Sequence, residues 1–219
     1  HDEEILLRKQ TIELHQDYLT AAQQLTKKRG FAAKKLAAAI QEQLELLSMS
    51  GAQFITNLTP LANDKFGAHG QENIEFLISA NPGEPAKALT RVASGGELSR
   101  ISLAIQVIAA KNSSIPTLVF DEVDVGIGGA TADIVGRMLR LLGHRGQVLC
   151  ITHQPQVAAQ AHNHMLVSKN TEKNITYSNI TTLSGTEIIH EIARMLGGTN
   201  ITTTTLSHAK EMIESNKKI

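Results

Sequence analysis

The sequence of 219 residues has one cysteine, no surplus of charge of either sign and no long apolar run. The single cysteine, Cys150, stands inside an apolar segment, which favours a reduced compartment and a small core residue over a disulfide or a nucleophile. No segment approaches the ~20 apolar residues of a transmembrane helix, and the first residues do not form a signal-peptide pattern. We therefore expect a soluble, cytoplasmic protein with no membrane partner.

The charge balance argues against a strongly basic protein surface. The 21 basic and 21 acidic side chains cancel, so the chain as a whole lacks the basic footprint of a nucleic-acid-binding protein. Any contact with DNA therefore requires a local patch or residues outside this chain.

A phosphate-binding loop is also missing. The sequence contains neither Gly-x-x-x-x-Gly-Lys-Ser/Thr nor any Gly-Lys pair. In nucleotide-binding proteins this loop holds the phosphates with its backbone N–H groups and supplies a lysine. The chain alone is thus predicted not to turn over ATP.

A glycine-rich segment opens the most regular helical pattern of the chain. Residues 93–100 read Ala-Ser-Gly-Gly-Glu-Leu-Ser-Arg, and a 3-4-3 apolar spacing follows. The pattern predicts a helix that begins near Ser94 and buries Leu98, Ile101, Ile105 and Ile108. Ser94 and Glu97 fit a capping box, whereas Gly95 and Gly96 would let a phosphate approach the free N–H groups. Both interpretations stand at this point.

Two apolar runs end in polar residues that are suited to chemistry. Residues 115–120 lead directly into Asp121 and Glu122, and residues 148–152 lead into His153, with a helical pattern between the two runs. Runs without alternation are typical of parallel strands that are buried on both faces. A β-α-β unit with the usual handedness places the ends of both strands at one edge of the sheet, where ligands bind.

These three side chains have a functional and an ordinary interpretation. One carboxylate can bind hydrated Mg²⁺ while its neighbour orients or deprotonates a water for attack on phosphorus, and the histidine can hold the transferred phosphate. Alternatively, Asp121 and Glu122 begin a solvated loop and His153 is a structural hydrogen-bonding residue.

The remaining pattern predicts further elements. In chain order we expect a helix over residues 1–24, a charged break at 27–30, a helix over 33–47, an irregular connection over 52–70, a strand over 74–78, a turn at 81–83, a short helix from Pro155, strands over 164–167 and 175–180, and two final helices, the first capped by Thr186 and ending at Gly197. The basic residues 27–29 are interpreted as a solvated turn, with phosphate contact as the alternative.

The ordered combination of motifs resembles the ABC-type ATPases. Residues 94–97 are similar to the signature motif, residues 118–122 to the Walker B strand and His153 to the switch histidine. The fuller forms over residues 93–100, 120–127 and 151–158 resemble bacterial DNA repair proteins of the SMC-like branch.

The resemblance implies an α/β fold. The chain is expected to be the C-terminal part of an ABC-type ATPase head, a mainly parallel sheet flanked by helices, with N-terminal helices from a coiled-coil root. Residues 1–50 would form that root and residues 51–219 the lobe with the signature motif, Walker B and switch histidine. Because the chain begins within a helical pattern, we expect a piece cut inside a longer helix. Its partner would be the N-terminal half of the same protein, which carries Walker A.

The resemblance also implies ATP and Mg²⁺ as cofactors, a homodimer through ATP-bound heads, and DNA contact through the full-length protein. The implied residues are Glu122 and His153 as catalytic groups, Asp121 as the Mg²⁺ ligand, and Ser94, Gly95, Gly96 and Glu97 on the ATP of the partner head. The implied role is recombinational repair of DNA double-strand breaks.

Two other functions stay open. One is a structural module that tethers DNA or other partners with incidental hydrolysis, which gains support from Gly128, where ABC-type proteins usually have an aspartate. The other is the nucleotide-binding subunit of a transporter. The leading helices and residues 97–100 favour the SMC-like branch over the transporter.

Overall fold

The computed structural model describes residues 2–62, 65, 67–91, 95–110, 115–172, 175–198 and 200–216. The chain divides into two compact units. The first comprises His1–Glu45 and Gly51–Val92, and the second comprises Leu46–Ser50 and Ala93–Ile219.

One uninterrupted helix, α1 (Asp2–Leu46), opens the chain. The predicted break at residues 27–30 is wrong, and the two predicted helices are one. Lysine and arginine are good helix formers, and a single glycine at position 30 costs a helix only about 1 kcal/mol relative to alanine. Tertiary contacts of the same turns offset that cost, since Arg29 Nη1 lies 2.8 Å from Glu72 Oε2.

A three-stranded antiparallel sheet completes the first unit. It consists of β1 (Gln53–Pro60), β2 (Glu72–Ser79) and β3 (Lys87–Ala88), in the order β1-β2-β3, followed by a 3₁₀ turn at Leu89–Arg91. The strand predicted over 74–78 and the turn after it are confirmed. The irregular connection predicted over 52–70 is wrong over β1, because Pro60 and the polar residues of the strand obscured its alternation. Phe54 of β1 pairs with Ile78 of β2, and both are buried.

The middle of α1 is fixed to the connection between β1 and β2. The Tyr18 hydroxyl lies 3.2 Å from the carbonyl oxygens of Gly67 and Gly70. The almost fully buried carboxylate of Glu72 accepts hydrogen bonds from Thr26 and Arg29. Because a buried carboxylate without donors is costly, these bonds hold α1 in place over about three turns.

The second unit contains the remaining elements. They are α2 (Gly95–Ala109), β4 (Thr117–Phe120), α3 (Gly129–Gly143), β5 (Gln147–Cys150), α4 (Pro155–Ala158), β6 (His164–Glu172), β7 (Ile175–Leu183), α5 (Thr186–Gly197) and α6 (Thr203–Asn216). The predicted β-α-β unit is confirmed, with β4 parallel to β5, and so is the β6–β7 hairpin. Among the described strands, parallel pairing is confined to β4–β5, which a helix connects. The other three described pairs, β1–β2, β2–β3 and β6–β7, are antiparallel, so parallel pairing is less extensive in the described sheets than the sequence predicts.

Three local expectations are corrected. β4 and β5 are not buried on both faces, since Val119 is 63% exposed. In α2 the buried residues are Gly96, Ile101, Leu103 and Ala104, while Leu98 is exposed, because the helix is apolar on most of its sides and periodicity alone does not select a face. Thr186 is the first residue of α5 rather than its cap, and Gly185 occupies the N-cap position.

The core of the second unit lies where α5 and α6 meet the end of α4. Ile192 and Ala193 pack with Ala159 and Ala209, and all four are buried. Beside this core α3 approaches residues 156–160 closely, since a Cβ added at Gly136 would lie 2.6 Å from Gln160 Cγ. Glycine at position 136 therefore permits this packing. In the described part of the chain, no helix has the length and apolar character needed to cross a membrane.

We predict that Ile192→Ala lowers the free energy of unfolding by about 2–5 kcal/mol, because it leaves a cavity in a core that is fully closed to water. Urea unfolding followed by circular dichroism measures the change. The matched control is Ile201→Ala, at an exposed position, with an expected loss of about 1 kcal/mol or less. Equal losses in the two variants would contradict the assignment of this core.

Candidate functional site

The polar residues after β4 and β5 leave the sheet at the same edge. Asp121 and Glu122 follow β4 directly, His153 follows β5, and the strands pair from Thr117 with Gln147 to Phe120 with Cys150. The Ile151 N–H donates to the Phe120 carbonyl at 3.0 Å and continues the pairing by one step. The structure therefore brings the predicted residues to one edge, while their chemical roles remain predictions.

Asp124 organises this edge, and the sequence reasoning did not identify it as a site residue. Its side chain is buried, with the residue 1% exposed. Its Oδ2 accepts hydrogen bonds from the Thr152 hydroxyl, from the His153 N–H at 3.1 Å and from the Gln154 N–H at 3.3 Å. One carboxylate thus fixes the start of the segment that carries His153. The available signal was a third acidic residue two positions after Glu122, but nothing in the sequence showed that it points inward.

Gln154 also connects these two loops, and here the segment after β5 donates the hydrogen bond. Its Nε2 donates to the Ile127 carbonyl at 2.8 Å and lies 3.5 Å from His153 Nε2. Asp124 of the loop after β4 therefore accepts hydrogen bonds from the segment after β5, and Gln154 of that segment donates a hydrogen bond back to the loop after β4. Such reciprocal hydrogen bonds reduce the freedom of both loops.

The His153 side chain has one ring nitrogen beside a buried carboxylate and is otherwise exposed. Its Nδ1 lies 3.6 Å from Asp124 Oδ2, whereas its side chain is 67% exposed. A carboxylate beside one ring nitrogen orients the imidazole, and the exposed remainder of the ring is accessible from solution. This geometry fits the functional interpretation of His153 better than that of a buried structural histidine.

The two glycines at the start of α2 lie against the loop that follows β4. A Cβ added at Gly96 would lie 3.3 Å from the carbonyl oxygens of Glu122 and Val125, and one added at Gly95 would collide with the Glu122 carboxylate. The absence of a side chain at both positions therefore favours the close approach of this loop, and the Glu122 carboxylate lies beside the start of α2. Ser94, the other half of the predicted capping box and of the predicted ATP contact, lies outside the described residues. Glu97 lies in the first turn of α2.

Glu122 has a backbone conformation that side chains rarely adopt. Its φ of 58° is in the left-handed region, and it is one of two non-glycine residues of this kind in the described chain. Such conformations cost about 1–3 kcal/mol and cluster at active sites. Ser48 shares this conformation at φ 59°, so the backbone of Glu122 is consistent with a site residue without assigning its role.

Ser99 and Arg100 connect α2 to the backbone of the same loop. The Ser99 hydroxyl donates to the Asp121 carbonyl at 2.7 Å, and Arg100 Nη1 donates to the Val125 carbonyl at 2.8 Å. Burial lowers the pKa of Arg100, and the Glu97 carboxylate opposes this change. Arg100 therefore braces the first turns of α2 against the loop after β4.

The predicted Mg²⁺ ligand fits a site that the substrate completes. In the part of the chain that the structure describes, no group of three or more His, Cys, Asp or Glu side chains forms a metal cage. Mg²⁺ usually takes one or two carboxylates together with phosphate oxygens and waters. Asp121 follows β4 directly, its side chain is exposed, and its backbone carbonyl accepts a hydrogen bond from Ser99. It therefore suits a Mg²⁺ site with a single protein carboxylate.

The comparisons with known structures define the class of the fold. Over 98% of this chain and 35% of the other, the chain superposes with a TM-score of 0.55 and 19% identity on an Smc head domain with coiled coil and joint from Pyrococcus yayanosii. The fold is therefore that of an SMC-like head. No protein-family model matches the chain.

Relatives in sequence define the family. The chain is 51% identical over 181 residues to the DNA repair protein RecN of Xylella fastidiosa, covering 83% of this chain and 32% of that protein. It is 45% identical over 213 residues to RecN of Haemophilus influenzae, covering 97% of this chain and 38% of that protein. Over the stretch that it shares with these proteins, the chain belongs to the RecN family. It spans about a third of their length.

We predict that Asp124→Ala frees the segment after β5, because the segment loses three hydrogen bonds to a charged acceptor, each worth about 1.5–3 kcal/mol. Amide hydrogen exchange at His153 and Gln154 is expected to accelerate at least about ten-fold, while exchange in α5 changes little. The control is Asp17→Ala on the exposed side of α1. Unchanged exchange at His153 and Gln154 would contradict the role given to Asp124.

A second prediction concerns Cys150. Burial raises the pKa of its thiol to about 12, with the Asp124 and Asp121 carboxylates adding to the effect. Above about pH 9 the unfolded chain loses the thiol proton while the folded chain keeps it, so the contribution of Cys150 to stability falls as pH rises. Urea unfolding of the native chain and of Cys150→Ala between about pH 7 and about pH 10 measures the difference. A difference that is constant with pH would contradict the prediction.

Proposed function

We propose that this chain supplies the signature motif, the acidic strand end and the switch histidine of an ATPase head in a RecN-type DNA repair protein. The observation that carries the proposal is the Asp124 carboxylate, whose three donors hold the His153 segment beside the strand that ends in Asp121 and Glu122. A strand-end carboxylate pair beside an oriented histidine is suited to phosphoryl transfer.

Each residue then has a role in hydrolysis. Asp121 would hold Mg²⁺, which would neutralise charge on the phosphates. Glu122 accepts a proton from the attacking water, and its fixed backbone limits the directions in which its carboxylate can point. His153 contacts the phosphate with the ring that Asp124 orients.

The same proposal needs residues that this chain lacks. The phosphate-binding loop is absent from the sequence, so we propose that the N-terminal half of a RecN-length protein provides it and that this chain alone does not hydrolyse ATP. Residues 1–50 would include the root of the coiled coil. In a homodimer of ATP-bound heads, Ser94, Gly95, Gly96 and Glu97 would face the ATP of the second head. The protein would act on DNA in the bacterial cytoplasm.

The test uses a full-length RecN protein from Haemophilus influenzae in which the 213 aligned residues are those of this chain. We predict that this chimera hydrolyses Mg-ATP and that Glu122→Gln lowers the rate at least about a hundred-fold while ATP still binds, because the amide removes a general base and keeps the shape. Turnover by coupled assay and binding of a fluorescent ATP analogue are the measurements.

The matched control is Glu211→Gln on the exposed side of α6, which should keep the parental rate. Unchanged turnover in Glu122→Gln would refute its role as the base. A folded chimera that binds ATP without hydrolysing it would favour the structural tethering module.

A further inference from the structure

Four lysines and a phenylalanine share one side of α1. Lys27 and Lys34 are seven residues apart, as are Lys28 and Lys35, and in an uninterrupted helix this spacing returns to the same side. Phe31 lies between the two pairs and is 74% exposed. All four lysines are exposed as well. We call these five residues the lysine face.

The lysine face points away from the packed side of α1. Ala22 and Ile40 are both buried and stand 18 residues, about five turns, apart, so they mark the packed side. Phe31 is nine residues from each, which is about two and a half turns and hence the opposite side. The exposure of this face therefore follows from the register of the helix.

The charge on this face is concentrated. Residues 18–41 contain five basic residues and no acidic one, in a chain whose formal charges balance as a whole. Of the five, Arg29 is paired with Glu72, while the four lysines form no ion pair with any residue that the structure describes. A local cationic stripe on an otherwise net acidic chain is the electrostatic footprint of a polyanion site.

We propose that the lysine face binds single-stranded DNA. The four ammonium groups span about 12 Å along the helix axis and contact successive phosphates, and the ring of Phe31 stacks on an unpaired base. A lysine ammonium is a point charge on a flexible stem that can reach a phosphate, and an exposed aromatic ring provides a surface on which a base stacks. The choice of DNA as the nucleic acid rests on the proposed function.

The first experiment changes the charge alone. In the chimera described above, Lys27, Lys28, Lys34 and Lys35 are replaced together by glutamine, which keeps helix propensity. We expect the dissociation constant for a thymidine oligonucleotide to rise at least about ten-fold. The slope of log affinity against log salt should become shallower by about 3, since each single-strand contact contributes about 0.7. Fluorescence anisotropy at several salt concentrations measures both.

The matched control makes the same charge change elsewhere. Lys9, Lys87, Lys169 and Lys210, all exposed, are replaced by glutamine. A loss of affinity in the first variant no larger than in this control overturns the proposal. A chimera dimer that dissociates in the first variant, with DNA affinity equal to the control, assigns the face to a second copy of the chain and also overturns it.

The second experiment tests Phe31. We expect Phe31→Ala to weaken binding of the single strand about five-fold or more and binding of a duplex of the same length by much less, because only unpaired bases are free to stack. Phe31→Trp should retain the parental affinity. Tighter binding to the duplex together with no effect of Phe31→Ala overturns the assignment to single-stranded DNA.

The same proteins separate this inference from the proposed function. ATP hydrolysis without DNA should be unchanged in the four-lysine variant, and Glu122→Gln should keep its affinity for the single strand. Lysine-dependent DNA binding in a chimera that never hydrolyses ATP supports the lysine face and refutes the ATPase proposal. Hydrolysis that depends on Glu122, in a chimera whose DNA affinity does not change when the four lysines are replaced, supports the ATPase proposal and refutes the lysine face.

Discussion

The buried carboxylate of Asp124 is the constraint on which the arrangement of the second unit depends. A carboxylate removed from water is tolerated only when donors surround it, and here the donors are the Thr152 hydroxyl and the N–H groups of His153 and Gln154. Satisfying Asp124 therefore also positions the segment after β5. The direction of the His153 ring follows from this folding requirement, since Nδ1 faces the same carboxylate.

The other side of the loop after β4 is fixed through its backbone. Ser99 and Arg100 of α2 donate to the carbonyls of Asp121 and Val125, and the glycines at the start of α2 allow the loop to approach the helix. Hence α2, the loop after β4 and the segment after β5 form one hydrogen-bonded assembly. A displacement of α2 would therefore be transmitted to the residues that flank Glu122, the residue we propose as the general base.

The sequence was sufficient for elements with strong local signals. The β-α-β unit, the hairpin and the last two helices were predicted because short apolar runs indicate strands and a 3.6-residue apolar period indicates helices. The ends of the two parallel strands then identified Asp121, Glu122 and His153 as candidate site residues. Asp124 was missed because burial of a single carboxylate depends on donors 28 to 30 positions away. β1 was missed because its pairing with β2, rather than its own alternation, defines it.

The wrong prediction of a break in α1 carries the largest consequence. Interpreted as a turn, residues 27–30 are a solvated charge run and have no fixed relation to Lys34 and Lys35. In an uninterrupted helix the same lysines align on one side, and the ion pair of Arg29 with Glu72 attaches the opposite side to β2. The ion pair between Arg29 and Glu72, which the local sequence does not reveal, therefore fixes the direction in which the lysines point.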